Sequence, residues 1–290
     1  MVIGALEAGG TKMVCAVGDE YGNIAKRTVF PTQKPDKTMP HIIKFFKQES
    51  IEALGIGCFG PLNLDRNSAQ YGTITSTPKI EWRQYPIGNV LKKELKVSVA
   101  IDTDVNAAAL GEATWGAGIG DDVVLYITIG TGVGAGIYID GKLLHGLVHP
   151  EAGHILLTRR EDDGFLGSCP YHKNCMEGLV SGPAIKGRWG RSAEELADTP
   201  LVWEMEADYI AQALANYILV YSPNRIILGG GVMHQLSLFP MIREKVKEYL
   251  NGYVNHPMLE HGIDQYIVPP LLGDDAGIKG ALKLAIDSVK

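Results

Sequence analysis

Val2-Ile-Gly-Ala-Leu-Glu-Ala-Gly-Gly-Thr-Lys-Met-Val-Cys-Ala-Val17 opens the chain with two apolar runs around one Gly/Thr turn. Val2 to Leu6 and Met13 to Val17 read as strands, and Glu7-Ala-Gly-Gly-Thr-Lys12 as the turn between them. The pattern returns further on: Leu125 to Ile129 and Ala135 to Ile139 flank Gly130-Thr-Gly-Val-Gly134. Between the two copies, Glu52 to Phe59 reads as a buried strand ending in Gly60-Pro61. Val97 to Ile101 is another, followed by Asp102-Thr-Asp104 and a helix over Val105 to Ala113. Helices are expected near Gly178 to Trp189, Met205 to Tyr221, Pro240 to Leu250 and Ala276 to Ser288, with a strand at Arg225 to Leu228. Strands alternating with helices make this an α/β protein. Gly-rich Thr114 to Asp121 reads as a hinge.

Composition narrows the function class. The 290 residues are 46% hydrophobic, enough for two cores, and the net charge is −6. That balance gives no basic bias toward nucleic acid or an anionic membrane. No apolar run approaches the roughly 20 residues of a membrane span, and no leader pattern stands at the N-terminus. The expectation is a cytoplasmic protein. Cys15 and Cys58 lie in strand-like contexts and read as buried thiols.

Cys169, His172 and Cys175 recur every third residue, and His154 stands fifteen residues upstream of the first. Two thiolates with two imidazoles suit a closed tetrahedral Zn²⁺ site. Their order is unlike that of a nucleic-acid zinc finger. Glu151 lies three residues before His154 and Glu177 two after Cys175. By default each is a solvated carboxylate, but a metal that fixes the chain there fixes them too.

A third Gly-rich stretch, Gly229-Gly-Gly231, also follows a strand. Glycine permits φ > 0 and close approach to a ligand, and successive N–H groups in such turns cradle anions. Thr11 and Thr131 add hydroxyls, so the three turns together point to phosphate. The Walker and G-x-G-x-x-G fingerprints are both missing. Asp104, after a strand and before a helix, is the candidate general base. Asp104 or Thr103 is equally suited to capping that helix, and the two roles can coexist.

Taken in order, Glu7-Ala-Gly-Gly-Thr-Lys12, Asp104-Val-Asn-Ala-Ala-Ala-Leu-Gly-Glu112, Ile129-Gly-Thr-Gly-Val-Gly-Ala-Gly136, Glu151-Ala-Gly-His154, Cys169-Pro-Tyr-His172 and Cys175-Met-Glu177 resemble the ROK family, over essentially the whole chain. The Cys-Pro-x-His-x-x-Cys spacing and Asp102-Thr-Asp-Val-Asn106 are similar to its bacterial fructokinase branch. The resemblance implies an actin-like (RNase H-like) fold of two domains around a central cleft. Residues 1–115 joined by helix 275–290 would form one, and 116–274 the other. It implies ATP-dependent phosphorylation of a hexose, most simply D-fructose, with Mg²⁺, in a homodimer. Mannose or glucose is the alternative sugar, and a non-catalytic sugar sensor the alternative role.

By the same resemblance Asp104 is the base, and Gly9, Gly10, Thr11, Lys12, Thr131 and Gly132 hold ATP phosphates. Pro183, Gly229, Gly230, Gly231, Val232, Met233 and Gln235 line the adenosine side. Gly60, Pro61, Thr103, Asp104, Glu151, His154 and Glu177 face the sugar. His154, Cys169, His172 and Cys175 hold zinc. Two departures stand out. Glu7 replaces the Asp of many members, which weakens the case for direct Mg²⁺ contact. Thr103 replaces the Asn that precedes the base in glucose-type members, which argues against plain glucokinase specificity. Repressor members carry a helix-turn-helix before the kinase-like core, whereas here the first turn's strand begins at Val2.

Overall fold

The computed structural model describes residues 1–289. The first stretch runs β1 (Ile3–Ala8), β2 (Lys12–Gly18), β3 (Ile24–Pro31), α1 (Pro35–Glu49), β4 (Ala53–Cys58), β5 (Leu62–Asn63), β6 (Thr73–Ile74), α2 (Ile87–Leu95), β7 (Ser98–Thr103) and α3 (Asp104–Trp115). Next come β8 (Val123–Ile129), β9 (Val133–Ile139), β10 (Lys142–Leu143), α4 (Met176–Val180), α5 (Gly182–Trp189), α6 (Pro200–Tyr221) and β11 (Arg225–Gly229). The chain ends with α7 (Leu238–Leu250), α8 (Pro257–Glu260), α9 (Ile263–Tyr266), β12 (Ile267–Val268) and α10 (Ala276–Ser288). No helix among the described residues is long and apolar enough to cross a membrane.

The chain divides into two compact units. The first holds Met1–Ile119, Lys142–Pro150 and the segment from Leu271 onward; the second holds Gly120–Gly141 and Glu151–Pro270. One boundary falls inside the expected hinge at Thr114 to Asp121. The short segment 142–150 groups with the first unit, although its sequence position suggested the second.

In the first unit the sheet order is β3-β2-β1-β4-β7. β1 pairs antiparallel with β2 and parallel with β4, and β4 is parallel to β7. The register aligns Ala8 with Cys58 and Cys58 with Thr103. The Gly9 turn, the Gly60-Pro61 loop and Asp104 therefore leave one edge together. That edge is the carboxyl end of the parallel strands, where α/β sheets place ligands. Alternation along β1 sends Leu6 and Ala8 to one core, with Ile42, Phe46, Trp82 and Leu91. Ile3 and Ala5 face the other core, with Ile278, Leu282 and Ile286 of α10.

α10 is packed at backbone contact. A Cβ at Gly55 would lie 1.7 Å from the Ala281 carbonyl oxygen, and one at Gly280 would lie 1.6 Å from that of Ala107. Only glycine lets these backbones meet. Glu112, at the end of α3, is fully buried. Its carboxylate accepts N–H bonds from Ala117 (2.7 Å), Leu271 (3.2 Å) and Leu272 (2.9 Å).

Within the second unit the strands run β9-β8-β11-β12. β8 pairs antiparallel with β9 and parallel with β11, repeating the β2-β1-β4 pattern. Thr128 is level with Gly229, so the turn after β8 and the glycines after β11 also leave one edge. The helix expected over Gly178 to Trp189 is broken at Ser181, whose extended backbone (ψ 160°) ends α4 and begins α5. Its hydroxyl accepts the Ala184 N–H at 3.3 Å, and Pro183 fits the first helical turn, where no N–H is needed.

Candidate active-site residues in the two units

In the first unit, Asp104 is the first residue of α3, and the structure separates the two candidates for its cap. Thr103 is the N-cap, its Oγ1 accepting the Asn106 N–H at 3.1 Å. The Asp104 carboxylate accepts from the adjacent Val105 N–H, at 2.9 Å. Burial pushes its carboxyl above the ordinary value, opposed by backbone N–H groups. A carboxylate so placed favours taking up a proton.

Two turns leave the same end of the sheet in this unit. Gly9 N–H donates to the Lys12 carbonyl (3.0 Å), Thr32 Oγ1 donates to the Gly9 carbonyl (2.7 Å), and Thr11 and Lys12 are exposed. Lys79 lies beside this turn: a Cβ at Gly10 would sit 3.2 Å from its Cε. Gly60-Pro61 is a cis peptide, and a Cβ at Gly60 would meet the His149 ring at 3.6 Å.

In the second unit the Gly130–Gly134 turn is held from two sides. Gly182 N–H donates to the Gly130 carbonyl at 2.8 Å, and Val133 N–H donates to Glu177 Oε2 at 3.1 Å. A Cβ at Gly132 would lie 2.7 Å from that same oxygen, and one at Gly153 only 1.9 Å from the Val133 carbonyl oxygen. So Glu177 and the Glu151–His154 segment both rest against this turn. Thr131 and Glu151 are exposed.

The glycines after β11 have a more ordinary reason. Gly230 has φ +90° and backs onto the Ile129 carbonyl, and the Tyr126 hydroxyl fills the Cβ position of Gly229. Of the glycines in the three turns, Gly230 alone has positive φ; Gly9, Gly132 and Gly229 are instead required by close approach, whereas a Cβ at Gly231 would meet open space. Val232 and Met233 are buried. A nucleotide would meet their backbone rather than their side chains. Gln235 Nε2 donates to the Ala197 carbonyl (3.1 Å) and to Ser237 Oγ (2.9 Å), while Pro183 is exposed.

The His/Cys set comes together as its spacing predicts. One ligand atom from each of His154, Cys169, His172 and Cys175 lies within 4.8 Å of all the others. His154 Nδ1 is 3.8 Å from Cys169 Sγ and 3.5 Å from Cys175 Sγ, and His172 Nδ1 is 3.9 Å from Cys169 Sγ. Tetrahedral zinc with ordinary Zn–S and Zn–N bonds requires S···N separations of about 3.6 Å. Burial pushes the Cys175 thiol up to about 11, so a cation is what would keep it ionised. The donor set and its spacing fit Zn²⁺.

A profile of the ROK family matches residues 3–288. The chain belongs to the ROK family. A Bacillus subtilis (strain 168) protein is 54% identical over 98% of this chain and 95% of its own. The fructokinase of Pediococcus pentosaceus is 44% identical over 100% and 99%. Among solved structures, a ROK family glucokinase from Streptomyces griseus, in complex with glucose and AMPPNP, superposes with a TM-score of 0.76 at 27% identity, covering 99% of this chain and 100% of that one. The fold is the actin-like α/β fold of these kinases.

Several residues of this ROK chain escaped sequence reading. Buried Asp102 pairs with the exposed His145, buried His149 meets Leu62 just after Pro61, and Lys79 stands by the Gly9 turn. Asp102 belongs to the Asp102-Thr-Asp-Val-Asn106 motif, but His145, His149 and Lys79 have none; only tertiary structure brings them to it and to the first turn. Glu7 was singled out, but its environment was not legible. Burial, then Asp104, push its carboxyl up to about 7, against Lys12 and Arg27.

Between its ordinary value of 4.5 and about 7 the folded carboxyl is protonated when the unfolded one is not. The folded state then binds more protons, so stability falls as pH rises through that window and stays lower above it. Glu7→Gln should therefore raise the melting temperature at pH 8 by roughly 5 °C and change it little at pH 4. Thermal melts of both proteins in metal-free buffer check this.

Proposed function

We propose that this hexose kinase is a fructokinase, which transfers the γ-phosphoryl group of ATP to the 6-hydroxyl of D-fructose. The observation that carries the reading is Asp104: a carboxyl of raised proton affinity, freed from capping by Thr103, at the strand edge that also bears the Gly9 turn and the Gly60-Pro61 loop. Fructose is favoured by the names of the relatives and by the Cys-Pro-Tyr-His-Lys-Asn-Cys175 cluster.

In this mechanism Asp104 takes the proton of the sugar hydroxyl as its oxygen attacks the γ-phosphorus in line. Backbone N–H groups and hydroxyls of the Gly9–Lys12 and Gly130–Gly134 turns hold the phosphates, with Lys12 and Lys79 as cations on the first. Gly60, Pro61, Thr103, Glu151, His154 and Glu177 orient the sugar. Pro183, Gly229, Gly230, Gly231 and the backbone of Val232 and Met233, with Gln235, bound the adenosine side.

Mg²⁺ bound with ATP would neutralise the phosphates. The like-charged pair Glu7 and Asp104 is chemically suited to a cation nearby. Zn²⁺ would be held by His154 Nδ1, Cys169 Sγ, His172 Nδ1 and Cys175 Sγ. Four protein ligands leave no position for activating water, so its role is structural. It would steady Glu177 through α4 and Glu151 through the His154 turn. The proposed enzyme is cytoplasmic and homodimeric, on the family resemblance.

The test is kcat/KM with ATP across fructose, mannose, glucose and N-acetylmannosamine. Fructose should lead by tenfold or more, since hydroxyl-reading sites discriminate strongly. Preference for mannose or glucose would replace the fructose assignment, and turnover of none would favour a sugar-sensing role.

A further inference from the structure

The segment 142–150 carries two histidines, and both are engaged by sugar-side elements of the first unit. His145 Nε2 lies 2.8 Å from Asp102 Oδ2. Asp102 is itself fixed, its Oδ1 accepting the Thr103 N–H at 2.8 Å and Asn106 Nδ2 at 2.7 Å. It stands two residues before Asp104 and is 4% exposed. His149, also 4% exposed, accepts the N–H of Leu62 on Nε2 at 3.2 Å. Leu62 directly follows the cis Gly60-Pro61 peptide and is itself buried. A buried N–H needs an acceptor, and an imidazole accepts only on a deprotonated nitrogen.

We propose that His145 and His149 are positioning residues, a two-point clamp that holds segment 142–150 against the Asp102–Asp104 turn and the Gly60-Pro61 loop and so sets the affinity for sugar. This inference rests on the kinase reading above.

The clamp has a pH signature. The ionisable groups facing His145 are Asp102 from β7 and Arg66 from the loop after β5; those facing His149 are Asp102 and His145. The hydrogen bond to Asp102 raises the affinity of His145 for its proton, whereas burial lowers that of His149. Below its own raised value His145 is an imidazolium bound to a carboxylate, and that charge assistance is lost as pH rises through it. Above its own lowered value His149 can accept from Leu62, and that bond is lost as pH falls through it. Sugar binding is then tightest between the two, on either side of the ordinary imidazole value of about 6.5.

The experiment has two arms. Histidine titrations by NMR on the full-length protein, with and without Asp102→Asn, should show His145 titrating high and falling in the variant, and His149 titrating low. Steady-state kinetics with fructose should show KM rising ~10-fold for His145→Ala and for His149→Ala, with kcat and the KM for ATP nearly unchanged. Gln retains a hydrogen-bonding group near the position of Nε2 but does not titrate. His149→Gln should restore KM and remove the acid limb of its pH profile, and His145→Gln should remove the alkaline limb. A merely structural role would move melting temperature but neither limb. Both histidines titrating at the ordinary value, or a fructose KM indifferent to all four variants, would overturn the clamp. The titrations need no turnover, so a wild type inactive on every hexose would sink the kinase reading while the clamp is judged on them.

Discussion

Asp104→Asn lowers kcat about 10²–10⁴-fold, the usual worth of a general base, and leaves the fold and bound zinc unchanged. Both halves of that expectation follow from the start of α3. The cap bond belongs to Thr103, so the helix does not depend on Asp104. Asp104 accepts from the Val105 N–H, which an amide oxygen can accept as well. Asn cannot take the substrate's proton, so the loss falls on the chemical step. ADP release at saturating ATP and fructose measures the loss. Circular dichroism and zinc content serve as controls. Turnover within a few-fold of wild type would leave Asp104 a helix-terminal residue and send the search for the base elsewhere.

Cys175→Ser produces the largest structural effect. Cys175 is buried, is the N-cap of α4, and brings Sγ to within 3.5 Å of His154 Nδ1. A hydroxyl binds zinc poorly, and structural zinc supplies on the order of 10 kcal/mol of apparent folding energy in small domains. In a larger unit with its own core, part of that is retained. Zinc should fall from about one per chain to a small fraction, and the melting temperature should drop by roughly 10 °C. Glu177 lies two residues on and holds the Val133 N–H, so the Gly130–Gly134 turn should loosen with it. KM should rise for sugar and ATP together, unlike the sugar-only effect expected of the histidine variants. Elemental analysis, calorimetry and kinetics check the three parts, and chelation of the wild type should reproduce them. A wild-type protein purified without zinc would refute the metal assignment.

What could be read in advance was local. The hairpins around Gly9 and Gly130, the strand before Asp104, helix α10 and the four metal ligands each depend on residues close in sequence. Their side-chain pattern or spacing suffices. The histidine clamp was not legible, because His145 meets Asp102 across 43 residues and His149 meets Leu62 across 87. A histidine without a motif reads the same on a surface or in a clamp. Helix α1 was missed although its Pro35 sits in a favourable first-turn position; Pro40 within it obscures the helical pattern. The break between α4 and α5 was passed over although Ser181-Gly-Pro183 carries its signal, a hydroxyl cap followed by a proline in the first turn. Of the two reasons for glycine in the first two turns, positive φ does not apply there, which leaves close approach.

The packing of α10 has a consequence for how the chain folds as it is made. The second unit draws all its residues from 120–270, whereas the first also needs α10, near the end of the chain. Until the ribosome has released that helix, Ile3, Ala5, Val14 and Ala16 have no cover, and the backbones at Gly55 and Ala107 lack their partner. Domains fold as units while synthesis proceeds, so the unit translated first should mature last, with an apolar sheet face open meanwhile. A released chain truncated after residue 270 should yield a protease-resistant second unit and a first unit cleaved throughout.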